Sequence, residues 1–556
     1  MEKASLVLKN GTVIDGTGRP RFRADVAISH NYIAAIDVEG SLQGVDEIDC
    51  SGLIVAPGFI DTHSHSDLRV LSEPGLPMKV RQGITLEVFG QDGISVAPIR
   101  EADRPQMQDT LAGLLGRLKH DWDWQSVGEY LNTVEKAHPA LDCAYLIPHG
   151  AVRLHAMGME DRKATGEEIT AMQQLIRQGM SEGAVGLSTG LIYPPCCFAD
   201  TAELIELCRT VAELDGIFVA HMRSESDYLE DAVAEMIDIG RHSRVRVHIS
   251  HFKAAGRENW SSIDRVLTMV RTAQEEGLCL TADQYPYVAG STMLGAILPP
   301  WAHAGGVQET LARLASADDR TRLRDALLDP SRSKWDNFWK WSGPDGIVIA
   351  DIPSGRHPDF LGRSLTQIAN MKLQTEHVSD EAAAEVAFDL LLEEHMGVGM
   401  ISFSQSEEVV RKIMHEPYVN VCTDGLLGGR PHPRAYGTYP RILGRYVREQ
   451  GWLTLEEAVR RMSGLAAETF HLTGFGRIET GARANLVVFD PERVVDRATF
   501  EDPTQYPEGI ETVIVEGRVA IESGQSGRSG RSGRGGGGSD QRGSGSGVTV
   551  RHQRAQ

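Results

Sequence analysis

The segment Gly58-Phe59-Ile60-Asp61-Thr62-His63-Ser64-His65 decides how the rest of the chain is interpreted. The apolar run Leu53-Ile54-Val55-Ala56 leads into it, so the two histidines follow a predicted strand. Residues one position apart in an extended segment point their side chains to the same face. Because imidazole suits zinc, iron, nickel or copper, His63 and His65 can form half of a metal site. Two surface histidines at a turn are the alternative.

Length and charge limit the class of protein. A chain of 556 residues is too long for one ordinary compact domain, and a large barrel with a smaller accessory domain fits this length. The formal net charge of −21 argues against nucleic acid as a partner, because phosphate binding needs a basic face. We therefore expect a small-molecule substrate, while the oligomeric state stays open.

Cysteine usage and hydropathy indicate a cytoplasmic address. The seven cysteines are scattered and none forms a CxxC pair, which favours reduced thiols. The N-terminal residues lack the long apolar region of a signal peptide. No uninterrupted apolar run is long enough to span a membrane, so we expect no membrane partner.

Both ends of the chain carry strand-like patterns. Leu6-Val7-Leu8 is followed by Asn10-Gly11, a hairpin signal, and then by Thr12-Val13-Ile14-Asp15. Similar patterns return at 484–490 and 512–519. We predict one small β-sandwich domain built from both chain ends, residues 1–56 and 470–522.

The region 57–469 alternates β-rich runs with helical stretches such as 167–178 and 227–239. Repeated strand–helix units imply a parallel sheet, and about eight of them imply an α/β fold with a (β/α)₈ TIM-like barrel. The candidate strands are the one before His63 and the runs 84–89, 144–147, 185–188, 217–221, 245–251, 278–283 and 419–424. Residues 397–401 are one candidate too many, and the pattern does not show which is spare.

Two further segments depart from this alternation. Residues from about 294 to 350 contain Pro299-Pro300-Trp301 and three more tryptophans, and we predict an insertion there. It is either a lid over the barrel mouth or a helical excursion that packs outside. Residues 523–556 are rich in Gly, Ser and Arg and cannot bury a core, so we predict a disordered tail.

Polar side chains recur at or just after the predicted strand ends, where barrel active sites are built. These residues are His63, His65, Asp92, His221, His251 and Asp424. A single residue of this kind is more often an ordinary polar residue than a metal ligand. Their recurrence in order at one face of the barrel predicts a shared site.

This order of residues resembles the amidohydrolase superfamily and, more narrowly, the D-aminoacylase (N-acyl-D-amino-acid deacylase) family. The segments that carry the resemblance are Gly58 to Asp67, Gly183 to Pro195, His432 to Thr438 and Gly481 to Asp490. The resemblance covers nearly the whole chain up to the tail. It implies a hydrolase that cleaves the amide bond of N-acyl-D-amino acids and gives a carboxylate and a D-amino acid.

The resemblance also implies roles for the site residues. His221 and His251 would be the principal ligands of one or two Zn²⁺ ions. His63 and His65 would hold or help a second metal position. Asp424 would act as the general base and then as the acid.

Asp92 departs from the family pattern. Where the D-aminoacylases place a metal-ligating cysteine between Gly-Asn and Gly, this chain has Gly90-Gln91-Asp92-Gly93. A carboxylate can ligate zinc. It is a harder ligand, which makes Mn²⁺ or Fe²⁺ more plausible. The alternative is that Asp92 only caps a turn, since Asp next to Gly is ordinary turn chemistry.

Five residues are candidates for substrate binding. Arg223 and Arg434 could each pair with a substrate carboxylate, and Tyr193 and Tyr287 could donate hydrogen bonds to it. Lys253 lies two residues past a predicted ligand and could orient a substrate group or only pair with an acidic neighbour. The family resemblance favours Tyr193 and Arg434 over Arg223, Tyr287 and Lys253.

Two other functions stay open on the sequence. The near alternative is hydrolysis of another amide, such as a cyclic amide, an N-substituted formamide or a dipeptide. The other class is a non-catalytic barrel that serves as a scaffold, because fold alone does not prove function.

Overall fold

The computed structural model of the chain describes residues 4–118, 121–329, 335–522, 547 and 549–551. The strands are β1 (Ala4–Val13), β2 (Phe22–Ser29), β3 (Tyr32–Asp37), β4 (Gly44–Asp49), β5 (Ile54–Pro57), β6 (Phe59–Asp61), β7 (Ile84–Phe89), β8 (Asp142–Pro148), β9 (Gly186–Gly190), β10 (Ile217–His221), β11 (Arg246–Ile249), β12 (Leu280–Gln284), β13 (Ala289–Met293), β14 (Ile347–Asp351), β15 (Gly399–Phe403), β16 (Val419–Val421), β17 (Leu486–Phe489), β18 (Ile510–Val515) and β19 (Arg518–Glu522).

Helices fill most of the remaining chain. They are α1 (Arg69–Ser72), α2 (Pro77–Val80), α3 (Arg104–Leu115), α4 (Val127–Lys136), α5 (His149–Met157), α6 (Gly166–Ser181), α7 (Thr201–Glu213), α8 (Leu229–Ser243), α9 (Ile263–Glu275), α10 (Val307–Ala315), α11 (Ala317–Leu328), α12 (Phe338–Gly346), α13 (Leu365–Leu373), α14 (Asp380–Glu393), α15 (Glu407–Met414), α16 (Arg434–Arg441), α17 (Leu455–Met462) and α18 (Gly464–Thr469). None of the helices in the described part of the chain combines the length and apolar character that crossing a membrane requires.

Strands β6 to β12 and β16 form a parallel barrel in sequence order. The Asp424 N–H donates to the His63 carbonyl over 2.9 Å, and Ser64 pairs with Gly425, so the first and last strands meet. Every residue of β7 and β8 is buried, because one face of each strand points into the barrel and the other lies under helices. This confirms the predicted (β/α)₈ barrel.

Both chain ends contribute to one eight-stranded sheet, with the order β19-β18-β17-β5-β1-β2-β3 and with β4 paired to β1. The predicted hairpin at Asn10-Gly11 is wrong, since β1 continues through it to Val13. The register against β2 shifts between Leu8 and Gly11, and Asn10 takes a φ of 61°. A bulge therefore absorbs the turn signal inside one strand.

The insertion forms a layer of its own. Strands β13, β15 and β14 make an antiparallel sheet, and α10 to α14 pack with it around a separate apolar core. The elements between β13 and β15 extend well beyond the predicted range of about 294–350. The spare strand candidate is β15, which pairs with β13 and β14 rather than with the barrel.

Most of the predicted tail, residues 523–546, 548 and 552–556, lies outside the described residues. Within the same segment, Thr549, Val550 and Arg551 lie against the barrel. Thr549 forms a bridge with Cys143, and the Val550 N–H donates to the Cys143 carbonyl over 2.6 Å. Arg551 donates to the Asn132 side chain over 2.6 Å.

Candidate active site

Six of the predicted residues meet in one buried pocket at the carboxyl ends of the barrel strands. His63 and His65 follow β6, and Asp92 follows β7. His221 ends β10, and His251 and Asp424 follow β11 and β16. Each of these side chains belongs to a residue that is at most 5% exposed.

Asp92 lies between the histidines of the first strand and His251. Its Oδ1 atom is 3.5 Å from His63 Nε2 and 3.6 Å from His251 Nε2. Its Oδ2 atom is 3.6 Å from His65 Nε2. Burial alone would raise the pKa of Asp92, but His63 and His251 hold it well below its ordinary value. The carboxylate is therefore ionised and faces three imidazoles.

A second cluster joins the later strands. His221 Nδ1 lies 3.0 Å from His251 Nε2, and His221 Nε2 lies 3.7 Å from Glu225 Oε2. Burial lowers the pKa of His221 to about 4, so its ring is neutral and keeps a lone pair for a ligand. Asp92 links this cluster to the one formed by His63, His65 and Asp424.

The donor set fits a divalent metal. Three groups of side chains bring their donor atoms within 4.8 Å of one another: His63, His65 and Asp424; His63, Asp92 and His251; His221, Glu225 and His251. His63 Nε2, Asp92 Oδ1 and His221 Nε2 are buried without a hydrogen-bond partner among the described residues. Buried polar atoms normally have a hydrogen-bond or metal partner, so these three atoms fit the ligands of a metal ion.

Three residues of the site adopt left-handed backbone conformations. The φ angles are 56° at Asp92, 35° at His251 and 48° at Asp424. Non-glycine residues in this region are strained and cluster at functional sites. The strand-end turns therefore aim these side chains inward at some cost in backbone energy.

Arg434 pairs with Asp424 rather than facing the pocket. Its Nη1 atom lies 2.9 Å from Asp424 Oδ2, and its Nη2 donates to the Ser291 carbonyl over 3.0 Å. Burial would raise the pKa of Asp424, but Arg434 and the nearby histidines hold it well below its ordinary value. Asp424 is therefore ionised, and its Oδ1 lies 3.3 Å from His65 Nε2.

Lys253 is the only lysine or arginine among the described residues that line the pocket. Its ammonium donates to Glu225 Oε1 over 2.5 Å and to His251 Nδ1 over 2.8 Å. An ammonium carries three N–H donors, so one remains for a substrate. Tyr285 lines the same pocket and accepts from Gln405 over 2.9 Å, which leaves its O–H free to donate.

The other predicted substrate residues divide between the pocket and its surroundings. Tyr193 lines the pocket, with its ring centroid 5.2 Å from that of His221. Arg223 lies outside it and pairs in a bidentate manner with Glu235, at 3.0 Å for both contacts. Tyr287 also lies outside, packed on His432 and under the Arg441 guanidinium.

Sequence reasoning missed Glu225 and Tyr285. Glu225 lies four residues after His221, in the loop that follows β10. Tyr285 is the first residue after β12, whereas Tyr287 is two positions further on. The strand-end rule that selected the histidines could have selected Tyr285 as well.

The insertion contributes to the pocket wall. Phe338 and Trp341 line the pocket. Asp336 fastens this segment to the loop after β10, because its carboxylate accepts from Ser224 and Ser226 hydroxyls over 2.5 and 2.7 Å. Part of the insertion therefore covers the barrel mouth, while its remaining helices pack outside.

A buried ion network lies beneath the two histidines of the first strand. Lys79 is fully buried and donates to Asp61 over 2.6 Å, to Ser64 over 2.8 Å and to Thr423 over 2.8 Å. Glu87 Oε2 lies 3.3 Å from the same ammonium. Burial opposes the charge, but the two carboxylates raise the pKa of Lys79 above its ordinary value. This network ties the loop carrying His63 to the one carrying Asp424.

We expect Lys79→Met to destabilise the fold strongly. The change leaves Asp61 and Glu87 buried without their cation, and breaking such a pair costs about 3–5 kcal/mol. Urea unfolding followed by circular dichroism measures the loss. Lys412→Met is the matched control, because Lys412 forms an exposed pair with Asp264 and such pairs contribute less than about 1 kcal/mol. Equal effects of the two substitutions would contradict the assigned role of the network.

Known proteins resemble this chain over most of its length. The model of the amidohydrolase family matches residues 46–280 and 420–521. A D-aminoacylase of Alcaligenes xylosoxydans xylosoxydans is 34% identical over 513 residues, 92% of this chain and 93% of the relative. An N-acyl-D-glutamate deacylase of the same organism is 35% identical and covers 93% of each chain.

A solved structure has the same fold. It is N-acyl-D-glutamate deacylase from Bordetella bronchiseptica, in complex with zinc and a phosphonate inhibitor that mimics the tetrahedral intermediate of its reaction. The TM-score is 0.80 at 32% identity, over 99% of this chain and 100% of the other. The barrel, the ordered histidines and these similarities lead to one assignment: the chain belongs to the amidohydrolase family and, within it, to the D-aminoacylases.

Proposed function

We propose that this protein hydrolyses the amide bond of N-acyl-D-amino acids with the help of one or two divalent metal ions. The observation that carries the proposal is the set of buried donor atoms on His63, Asp92 and His221 that have no partner among the described residues, together with an ionised Asp424 whose Oδ1 lies 3.8 Å from His63 Nε2. Similarity to D-aminoacylase and to N-acyl-D-glutamate and N-acyl-D-aspartate deacylases supports the substrate class.

His63, His65, Asp92, His221 and His251 would hold the metal, with Glu225 as a further carboxylate near the second cluster. A bound ion would supply a Lewis acid for the amide carbonyl and for the attacking water. Zn²⁺ fits the imidazole ligands, and the carboxylate at 92 also suits Mn²⁺ or Fe²⁺.

Asp424 would move the proton. Arg434 keeps its carboxylate ionised, the form that accepts a proton from the attacking water. The same carboxyl group can then donate the proton to the nitrogen of the leaving amine. Because its Oδ1 lies 3.3 Å from His65 Nε2, the acceptor is next to the proposed metal ligands.

Lys253 and Tyr285 would bind the substrate carboxylate with one free donor each. Among the described lining residues, Lys253 is the single lysine or arginine. Because the pocket offers one cationic side chain, it matches a substrate with one carboxylate. Leu114, Phe338 and Trp341 would contact a neutral side chain.

The test combines metal analysis with substrate selectivity. The purified protein should contain stoichiometric metal and release acetate from N-acetyl-D-leucine, with little release from N-acetyl-L-leucine or N-acetyl-D-glutamate. Cyclic amides, N-substituted formamides and dipeptides complete the panel. If the protein hydrolyses one of these amides and none of the N-acetyl-D-amino acids, the proposed substrate class is wrong. A protein with neither metal nor turnover would refute the enzyme itself.

We expect Lys253→Met to raise KM for N-acetyl-D-amino acids much more than it lowers kcat. A hydrogen bond to a charged group contributes about 1.5–3 kcal/mol, or roughly 10- to 100-fold in affinity. Steady-state kinetics on N-acetyl-D-leucine measures the two constants separately. Tyr285→Phe should raise KM in the same way but less. A fall confined to kcat would contradict a role of Lys253 in binding the carboxylate.

A further inference from the structure

A second cavity lies beside the active site. The space between its walls, part of which is open to solvent, is about 570 Å³, compared with about 480 Å³ for the active-site pocket measured in the same way. Its wall is mainly apolar, with Ile94, Met159, Ile192, Met293, Leu298 and Met396 among the lining residues. A cavity of this size next to the proposed scissile bond has room for part of a substrate.

Tyr193 and Thr292 lie at the boundary between this cavity and the active site. Tyr193 lines both spaces, and its hydroxyl lies 2.8 Å from Thr292 Oγ1. Thr292 lines the active site, and the next residue, Met293, lines the second cavity. An acyl chain that enters the cavity would have to displace the Tyr193 phenol and break this hydrogen bond. The free energy lost with one hydrogen bond is smaller than the free energy gained when several methylenes are buried.

The second cavity offers no charge to a ligand. Its described lining contains no lysine, arginine, aspartate or glutamate. His303 lines it, and desolvation lowers the pKa of that imidazole to about 4, so the ring is neutral. The cavity therefore suits an aliphatic group and not a carboxylate.

The topology of the barrel places one wall of this cavity opposite the proposed carboxylate site. Lys253 and Tyr285 follow β11 and β12, the sixth and seventh barrel strands. Ile94, Met159 and Ile192 of that wall lie after β7, β8 and β9, the second to fourth strands, whereas the facing wall, from Met293 onward, belongs to the insertion after β12. In a closed ring of eight strands these two groups face each other across the mouth. A substrate whose carboxylate is bound by Lys253 therefore extends its acyl end toward the cavity.

We propose that this second cavity binds the aliphatic acyl chain of the substrate, so that the enzyme prefers N-acyl-D-amino acids with an acyl group longer than acetyl. This inference rests on the proposed function, with the amino acid on the Lys253 side of the metal cluster. The chain passes between Tyr193 and Thr292 and lies among the methionines and branched side chains of the cavity.

The first experiment is a chain-length series on the wild-type holoenzyme. N-acetyl-, N-butyryl-, N-hexanoyl- and N-octanoyl-D-leucine are compared by kcat/KM. We expect kcat/KM to rise by up to about fourfold for each methylene, and by at least about tenfold from acetyl to hexanoyl. A flat or falling series would overturn the proposal.

A variant series locates the effect. Ala296 lines the cavity, and Ala296→Phe should lower the hexanoyl-to-acetyl ratio of kcat/KM by about tenfold or more, because the ring occupies the space of the chain. Ala304→Phe is the matched control in the same segment and should keep the wild-type ratio. Thermal unfolding of both variants checks that they fold. An unchanged ratio in folded Ala296→Phe would overturn the assignment of this cavity.

The outcomes separate this inference from the function on which it rests. If no N-acyl-D-amino acid of any length is hydrolysed, the proposed function fails. If N-acetyl-D-leucine is hydrolysed and longer acyl groups gain nothing, only the acyl cavity is refuted. A series of N-acetyl-D-amino acids with longer side chains provides the last comparison. If Ala296→Phe affects that series instead of the acyl series, the cavity binds the amino acid side chain, which also overturns the proposal.

Discussion

Asp424→Asn should lower kcat by about 10²- to 10⁴-fold while the protein keeps its metal and its fold. The substitution preserves size and removes the carboxylate that accepts and returns the proton. It keeps a residue that tolerates the left-handed conformation at φ 48°. His63, His65, His221 and His251 remain, so most of the proposed metal ligands are unchanged.

Kinetics on N-acetyl-D-leucine and elemental analysis of the same sample test this expectation. Asp496→Asn is the matched control, because Asp496 also pairs with an arginine, Arg441, at 3.0 Å, outside the pocket. The control should retain wild-type turnover. Activity of Asp424→Asn within tenfold of wild type would rule out the proton-transfer role. Loss of the metal together with the activity would instead make Asp424 a necessary ligand.

The barrel and the positions of its site residues could be predicted because two simple rules apply strongly to this chain. Strands that are buried on both faces have nearly continuous apolar sequences, as in β8 and β10. Polar residues directly after such runs must lie at one end of a parallel barrel. His63, Asp92, His221 and Asp424 are therefore brought together by strand order alone.

The remaining features depend on contacts that no local pattern contains. Glu225 reaches the site only because the loop after β10 turns back, where Asp336 of the insertion accepts from Ser224 and Ser226. Asn10-Gly11 forms a bulge within β1 and not a hairpin turn, because β1 pairs with β2 on both sides of it. The second cavity is formed where the insertion meets loops of three barrel strands, so it has no signature in any single segment.

We expect Asp92→Asn to weaken metal binding by at least about 100-fold and to lower activity in proportion. Asp92 contacts His63, His65 and His251 at 3.5–3.6 Å, so its carboxylate is the anionic centre of the cluster. Removing an outer-shell partner of a metal ligand already costs about 10- to 100-fold in affinity, and a proposed direct ligand should cost more. Asparagine is preferred to alanine because it tolerates the φ of 56° at this position.

Calorimetric titration of the metal-free protein with Zn²⁺ and with Mn²⁺ measures the effect. Asp215→Asn is the matched control, since Asp215 has the same φ of 56° but precedes β10, at the other end of the barrel. Asp92→Cys tests the chemistry of the exchange. A thiolate is a softer ligand than a carboxylate. The ratio of Zn²⁺ affinity to Mn²⁺ affinity should therefore be higher in this variant than in the wild type. If Asp92→Asn binds both metals as tightly as the control, Asp92 only shapes the turn, and the metal must be held by the histidines with Asp424 or Glu225.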